Sequence, residues 1–198
     1  KGKKNMAKFL KTVAVYCGHQ FGNNPEFNRA AIKLGAELAK NNIQVVFGGG
    51  DVGLMGAIAT ATIRGGGHVI GVSTDDVLAR QEPAHPEIDV EVVGGVNERK
   101  QRMFDLSDAF IIMPGGIGTL NELTDIMTMQ QIGETKKPLY FLNIENFWAP
   151  FGDLVKHMID CGFIESLADY RIQKADTVDE LMKLVLASKN PKKLKEMS

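Results

Sequence analysis

The chain has 198 residues, 44% apolar and 24% charged, with a formal net charge of −1, a size that suits one domain. Balanced charge argues against a general polyanion binder, but it leaves room for a local positive site that holds a small phosphate ligand. Two distant cysteines, Cys17 and Cys161, and four scattered histidines give neither a disulfide framework nor metal-ligand spacing. No apolar run reaches bilayer length and no leader-like segment is present, so the expectation is a soluble, cytoplasmic protein with no bound metal and no redox cofactor.

Residues 1–11 read as a flexible start, with Lys1 to Asn5 preceding Met6. Thr12 to Cys17 (TVAVYC) predicts a strand, and Pro25 to Asn41 a helix with Phe27, Ala31, Leu34 and Leu38 at three- and four-residue spacing. Ile43 to Phe47 is the second strand. It stops at Gly48-Gly49-Gly50, and a helix follows from about Gly53 to Arg64. Gly65 to Gly67 ends that helix before a third strand, His68 to Val72. Thr74 to Ile88, with Pro83 and Pro86, reads as a long loop, and Val90 to Val93 as a short strand. Asn97 suits the N-cap of a helix running to about Leu106. Ala109 to Met113 is a strand, Pro114 to Gly118 a turn, and a helix continues to about Ile132. Pro138 to Leu142 and Arg171 to Lys174 are further strands, with helices near Trp148 to Cys161 and Val178 to Ala187. Residues 190–198 form a lysine-rich, solvated tail.

Continuous apolar strands joined by helices imply a mostly parallel sheet covered on both faces. The expected fold is therefore α/β, a doubly wound, Rossmann-like single domain over residues 12–189. Ligands in such folds bind at the carboxyl ends of the strands.

Two glycine loops lie at that edge. The first contains G-x-G-x-x-G at Gly48, Gly50 and Gly53, with Asp75 and Asp76 about twenty residues on, near the end of the next strand. This is formally a dinucleotide fingerprint, although it sits in the second strand-to-helix turn rather than the first. A tight packing turn is the plainer reading, and phosphate binding of some kind is the favoured one. The second loop is Pro114-Gly115-Gly116-Ile117-Gly118-Thr119. Its glycines let the backbone turn sharply and present N–H groups, and the helix that follows aims its positive end at the same point. Thr119 can add a hydroxyl. Neither loop has the lysine of a triphosphate-hydrolysing P-loop. Glu122 sits one turn into this helix, with Asp125 and Thr128 on the same face. Arg99 and Lys100, in the preceding helix, are placed to face the same ligand, and arginine suits phosphate or carboxylate through its planar fork.

The combination of GGGDVGLMG (Gly48 to Gly56), ERK (Glu98 to Lys100) and PGGIGTLNE (Pro114 to Glu122) resembles the Lonely Guy family of cytokinin-activating phosphoribohydrolases. The similarity runs from about Val13 to Ile164. The resemblance implies a homodimer or larger assembly that cleaves an N6-modified adenosine 5′-monophosphate to free base and ribose 5-phosphate. It maps Arg99 and Glu122 onto the catalytic pair. It maps Glu82, Lys100, Gly116 to Thr119 and Thr128 onto nucleotide contacts. Gly49, Gly50 and Gly115 would complete the phosphate cradle. His19 and Gln20 stand where the family generally has two serines, Val96-Asn97 where it has Met-His, Asn121 where it has a first glutamate, and Met129 where it has tryptophan. Two other readings stay open: a non-catalytic nucleotide or molybdenum-cofactor carrier, and an NAD-dependent oxidoreductase built on Gly48, Gly50 and Gly53. No nucleic-acid or membrane partner is expected.

Overall fold

Apolar runs of four or five residues cannot satisfy their backbone groups alone, so they pair edge to edge. The computed structural model describes residues 10–80, 86–168 and 170–189. It has seven strands: β1 (Thr12–Tyr16), β2 (Gln44–Phe47), β3 (Val69–Ser73), β4 (Asp89–Val92), β5 (Ala109–Ile112), β6 (Leu139–Leu142) and β7 (Ile172–Ala175). Seven helices connect or follow them: α1 (Pro25–Lys40), α2 (Gly53–Arg64), α3 (Asp75–Leu78), α4 (Val96–Leu106), α5 (Ile117–Gln131), α6 (Ala149–Asp160) and α7 (Val178–Lys189). The strands form one sheet in the order β4-β3-β2-β1-β5-β6-β7, with every pair parallel. The chain steps outward from β1 to β4, then returns to lay β5 against the other side of β1. The switch point between β1 and β5 is where such a sheet opens a crevice for ligands.

Side chains alternate across the sheet and so feed two cores. Val13 and Val15 of β1 pack with Leu34 of α1, Ile58 of α2 and Leu181 of α7. Ala14 and Tyr16 face the other way and pack with Met103 of α4, Leu123 of α5 and Val155 of α6. Helices α4 and α5, which carry Arg99 and Glu122, therefore share one face of the sheet.

Local signals account for most boundaries. Asn24 caps α1 by accepting the Glu26 N–H at 2.9 Å, and Pro25 pre-sets the first turn. The stretch expected as a loop after β3 contains α3 instead, because Thr74 caps it by accepting the Val77 N–H. Helix α4 is capped two residues earlier than expected: Gly95 is its N-cap and Asn97 lies inside its first turn. The ordered fold also begins before residue 12. Leu10 is buried, and the Lys11 and Thr12 N–H groups both donate to Asp108. The tail at 190–198 and Glu82 lie outside the described residues. Among the described residues no helix is long and apolar enough to cross a membrane.

Helices α1 and α2 approach closely because Gly35 has no side chain. A Cβ there would lie 2.5 Å from the Ile58 carbonyl oxygen and 2.9 Å from Ala61 Cβ. Gly35→Ala should therefore cost about 1–3 kcal/mol through overpacking. Denaturant unfolding would read this as a lower midpoint at unchanged slope. An unchanged midpoint would mean that the two helices part without strain.

Candidate active site

Three loops meet at the switch point. The first follows β1, the second is the glycine loop after β2, and the third is the Pro114–Thr119 loop after β5. The Gly18 N–H donates to the Pro114 carbonyl at 3.0 Å, and the Leu54 N–H of α2 donates to the Gly18 carbonyl at 3.1 Å. The β1 loop is thereby stitched to both of the others. Gly53, at φ +60°, is needed for this approach, since a Cβ there would fall 2.3 Å from the His19 carbonyl carbon. The amino end of α2 is thus covered by the His19–Gln20 backbone, where a dinucleotide pyrophosphate would otherwise lie. Asp75 and Asp76 stand exposed in the first turn of α3. This geometry removes the basis for the NAD reading.

The amino end of α5 is open. Its N-cap, Gly116, is extended and supplies no side-chain cap, so the first N–H groups of the helix have no intrahelical acceptor. Gly116, Ile117, Gly118 and Thr119 line a chamber of about 170 Å³ together with Tyr16, Gly18, His19, Gly48, Arg99 and Glu122. Ile117 is 81% exposed and its side chain is apolar, so this residue can serve an anion only through its backbone. Gly115 has to be glycine because a Cβ would sit 2.1 Å from Thr119 Oγ1. Gly49 and Gly50 are buried behind Gly48. Gly49 turns at φ +82° and packs on Ser73. Of the first glycine loop, Gly48 is the residue that lines the chamber.

A second, wider cleft of about 390 Å³ adjoins the chamber. Lys100, Phe104, Asp125, Ile126, Thr128, Met129 and Ile132 are among its walls. Tyr16 and Glu122 line both spaces. Glu122 therefore stands at the junction between a chamber with free backbone donors and a wider cleft that mixes apolar side chains (Phe104, Ile126, Met129, Ile132) with charged and polar ones (Lys100, Asp125, Thr128).

Arg99 reaches this junction from α4 and is held by backbone. Its Nε donates to the Val72 carbonyl at 2.8 Å and its Nη2 to the Gly48 carbonyl at 3.3 Å. The remaining nitrogen, Nη1, faces Glu122 Oε1 at 3.9 Å, an ion pair without a close hydrogen bond. Lys100 is engaged nearby, 2.6 Å from Asp125 Oδ2 and 3.0 Å from Asn121 Oδ1. Thr128 donates its hydroxyl to the Thr124 carbonyl at 2.8 Å while lining the cleft. The sequence-derived set of Arg99, Lys100, Gly116 to Thr119, Glu122 and Thr128 thus converges on two adjoining spaces, whereas Gly49, Gly50 and Gly115 do not line them.

Burial dominates the electrostatics. Desolvation pushes the Glu122 carboxyl up from 4.5 to about 7, against the opposing pull of Arg99 and Lys100. The Tyr16 hydroxyl is raised by burial first and by Glu122 second, which keeps it neutral. The buried Cys17 thiol is raised as well, mainly by desolvation, which suits a packing residue and not a nucleophile. Sequence reasoning did not single out Tyr16. The available signal was its place at the end of the central strand, next to the switch point.

Residues 55–185 match the family described as "Possible lysine decarboxylase". The chain is 40% identical over 173 residues to cytokinin riboside 5′-monophosphate phosphoribohydrolase LOG of Oryza sativa subsp. japonica, covering 87% of this chain and 72% of that protein. The chain belongs to the Lonely Guy family. It is also 39% identical to the Arabidopsis thaliana enzyme LOG1, over 88% of this chain and 82% of that one. Among solved structures, a molybdenum cofactor binding protein from Rippkaea orientalis superposes with a TM-score of 0.66. It covers 90% of this chain and 96% of its own at 19% identity, a likeness of fold alone. The motifs PGGIGTLNE and ERK supply Gly116 to Thr119, Glu122, Arg99 and Lys100 to the two cavities.

The raised Glu122 carboxyl has a consequence for stability. Its folded value lies above the unfolded one, so its contribution is fully present below about pH 4.5 and is lost as pH rises through about 7. The shift corresponds to about 3 kcal/mol at most. Glu122→Gln should unfold at a higher temperature than the parent protein at pH 8 and at nearly the same temperature at pH 4. Thermal melts at the two pH values test this, and equal melts at pH 8 would refute a buried, strained carboxylate.

Proposed function

We propose that this protein hydrolyses the N-glycosidic bond of a purine nucleoside 5′-monophosphate, releasing the free base and ribose 5-phosphate. N6-modified adenosine monophosphates are the proposed substrate class. The observation that carries this reading is the buried Glu122 carboxyl, shared by the chamber at the amino end of α5 and the wider cleft, and faced by Arg99.

The phosphate rests on the N–H groups of Ile117, Gly118 and Thr119 at the amino end of α5. That anchor sets the ribose beside Glu122. The base then extends into the wide cleft, where Phe104, Ile126, Met129 and Ile132 offer apolar surface to an N6 substituent. As the C1′–N bond breaks, its electron pair leaves with the base and positive charge develops on the ribose ring. The Glu122 carboxylate stabilises that charge, as carboxylates do in glycoside hydrolysis. Water adds its oxygen to C1′ and gives one proton to Glu122; Glu122 gives that proton up as the departing base nitrogen takes one, directly or through solvent, so the carboxylate is regenerated. Arg99 keeps Glu122 oriented and holds down the cost of its ionisation. Relatives named cytokinin riboside 5′-monophosphate phosphoribohydrolases support the substrate class. Assembly with a second copy is also proposed. Val96, Ile117 and Ile132 are exposed apolar side chains on α4, at the start of α5 and just past its end, and light scattering on the purified chain would report a dimer mass.

A carboxylate that must ionise near pH 7 sets the expected rate profile. The kcat/KM for nucleoside monophosphates should fall on the acid side of about pH 7. Glu122→Gln should lower turnover by about two or more decades while nucleotide binding persists. The test is a panel of nucleoside monophosphates, including N6-isopentenyl-AMP, assayed for base and ribose 5-phosphate. Near-normal turnover in the variant would exclude Glu122 from the chemistry. Binding without any product release in the parent protein would favour a carrier role.

A further inference from the structure

The glycine at position 48 is not required by its own backbone. Its φ lies outside the left-handed region, unlike Gly49 at +82° and Gly53 at +60°. What a side chain would meet there is Arg99: a Cβ would sit 2.1 Å from Arg99 Nη2, and its next neighbour is the flexible Met55 Sδ at 3.2 Å. The same residue offers its carbonyl to that nitrogen. The Val72 carbonyl, at the end of the neighbouring strand β3, takes Arg99 Nε. Two parallel strand ends thus hold the guanidinium by two of its nitrogens and leave Nη1 facing Glu122.

We propose that Gly48 is a positioning residue for the hydrolytic reaction, a seat that fixes the Arg99 guanidinium by leaving the space it fills and supplying one of the two carbonyls that hold it. The first glycine loop then serves the reaction through Arg99 and not by cradling phosphate. This assignment rests on the hydrolytic reading of Arg99 and Glu122. Chemically the seat explains why a cation beside a carboxylate does not collapse onto it. The planar fork has spent its directional bonds on fixed acceptors, so its charge acts on Glu122 and on the bound ribose from a set distance.

The test uses the full chain in three variants: Gly48→Ala, Arg99→Ala and the double variant. Each is assayed for ribose 5-phosphate release from adenosine and N6-isopentenyladenosine 5′-monophosphates, for thermal midpoint, and by NMR for the Arg99 Nε–H signal (identified by its loss in Arg99→Ala). Gly48→Ala should lower kcat by about 100-fold, the scale of a 1 Å misplacement, and should abolish the Nε–H signal. The double variant should be no slower than Arg99→Ala within about twofold, since both changes act through one group. It should also melt higher than Gly48→Ala, because removing Arg99 relieves the clash. If Gly48→Ala fails to fold, recovery of folding in the double variant supports the seat, and failure of both overturns it. Parent-like turnover and an intact Nε–H signal in Gly48→Ala overturn it, as does a double variant that multiplies the two losses. A parent protein that releases no ribose 5-phosphate from either nucleotide sinks the hydrolytic reading instead. The melting and NMR comparisons still decide whether Gly48 seats Arg99.

Discussion

The carboxyl of Glu122 is held where water is scarce, and the surrounding architecture is arranged around the cost of charging it. Burial raises its proton affinity, and Arg99 and Lys100 offset part of that rise. A free arginine would close on such a carboxylate and form a bidentate pair. Here the guanidinium is bonded to two strand-end carbonyls and remains 3.9 Å away. Lys100 is likewise drawn aside by Asp125 and Asn121. The result is a carboxylate with charge support but few direct hydrogen-bond partners, which leaves its oxygens free for a substrate.

The parallel sheet supplies the acceptors. At the carboxyl edge of a parallel sheet the last carbonyls have no further strand residues to pair with, and three of these ends converge near the switch point. Glycine permits the convergence. Gly53 admits the backbone of the β1 loop, Gly115 admits Thr119, and Gly48 admits Arg99. Each lacks a methyl group that would collide with one neighbour, distant in sequence for Gly53 and Gly48 and four residues on for Gly115. These glycines are therefore steric complements of particular neighbours, and one shared label as phosphate-binding residues would miss that difference.

Much of this was readable before any coordinates. The alternation of apolar runs with helical periodicity was enough for the doubly wound fold, and PGGIGT followed by Glu122 pointed to an anion site with an acid behind it. Short-range chemistry misled in two places. A proline-bearing stretch after β3 suggested only a loop, while Thr74 caps a short helix at its start. Asn97 suited a cap, while the extended backbone at Gly95 begins the turn earlier. The roles of Gly48, Tyr16 and the Val72 carbonyl were not legible, because they depend on which strand ends become neighbours. That information lies in strand order and register, which single-residue preferences do not encode. The dinucleotide fingerprint matched for the same reason: a glycine spacing records that a turn is tight and not what it is tight against.

The bond from Arg99 to Gly48 spans 51 residues, and the one to Val72 spans 27. The link between Gly18 and Pro114 closes a still longer loop. These partners come from the ends of β1, β2, β3 and β5, so the site is complete only when all four strands are in place. Loops of this length are entropically expensive to close and become favourable only once the flanking strands are paired. The catalytic geometry is thus tied to strand pairing across the middle of the sheet, and a chain that lacks that pairing lacks the arginine seat as well.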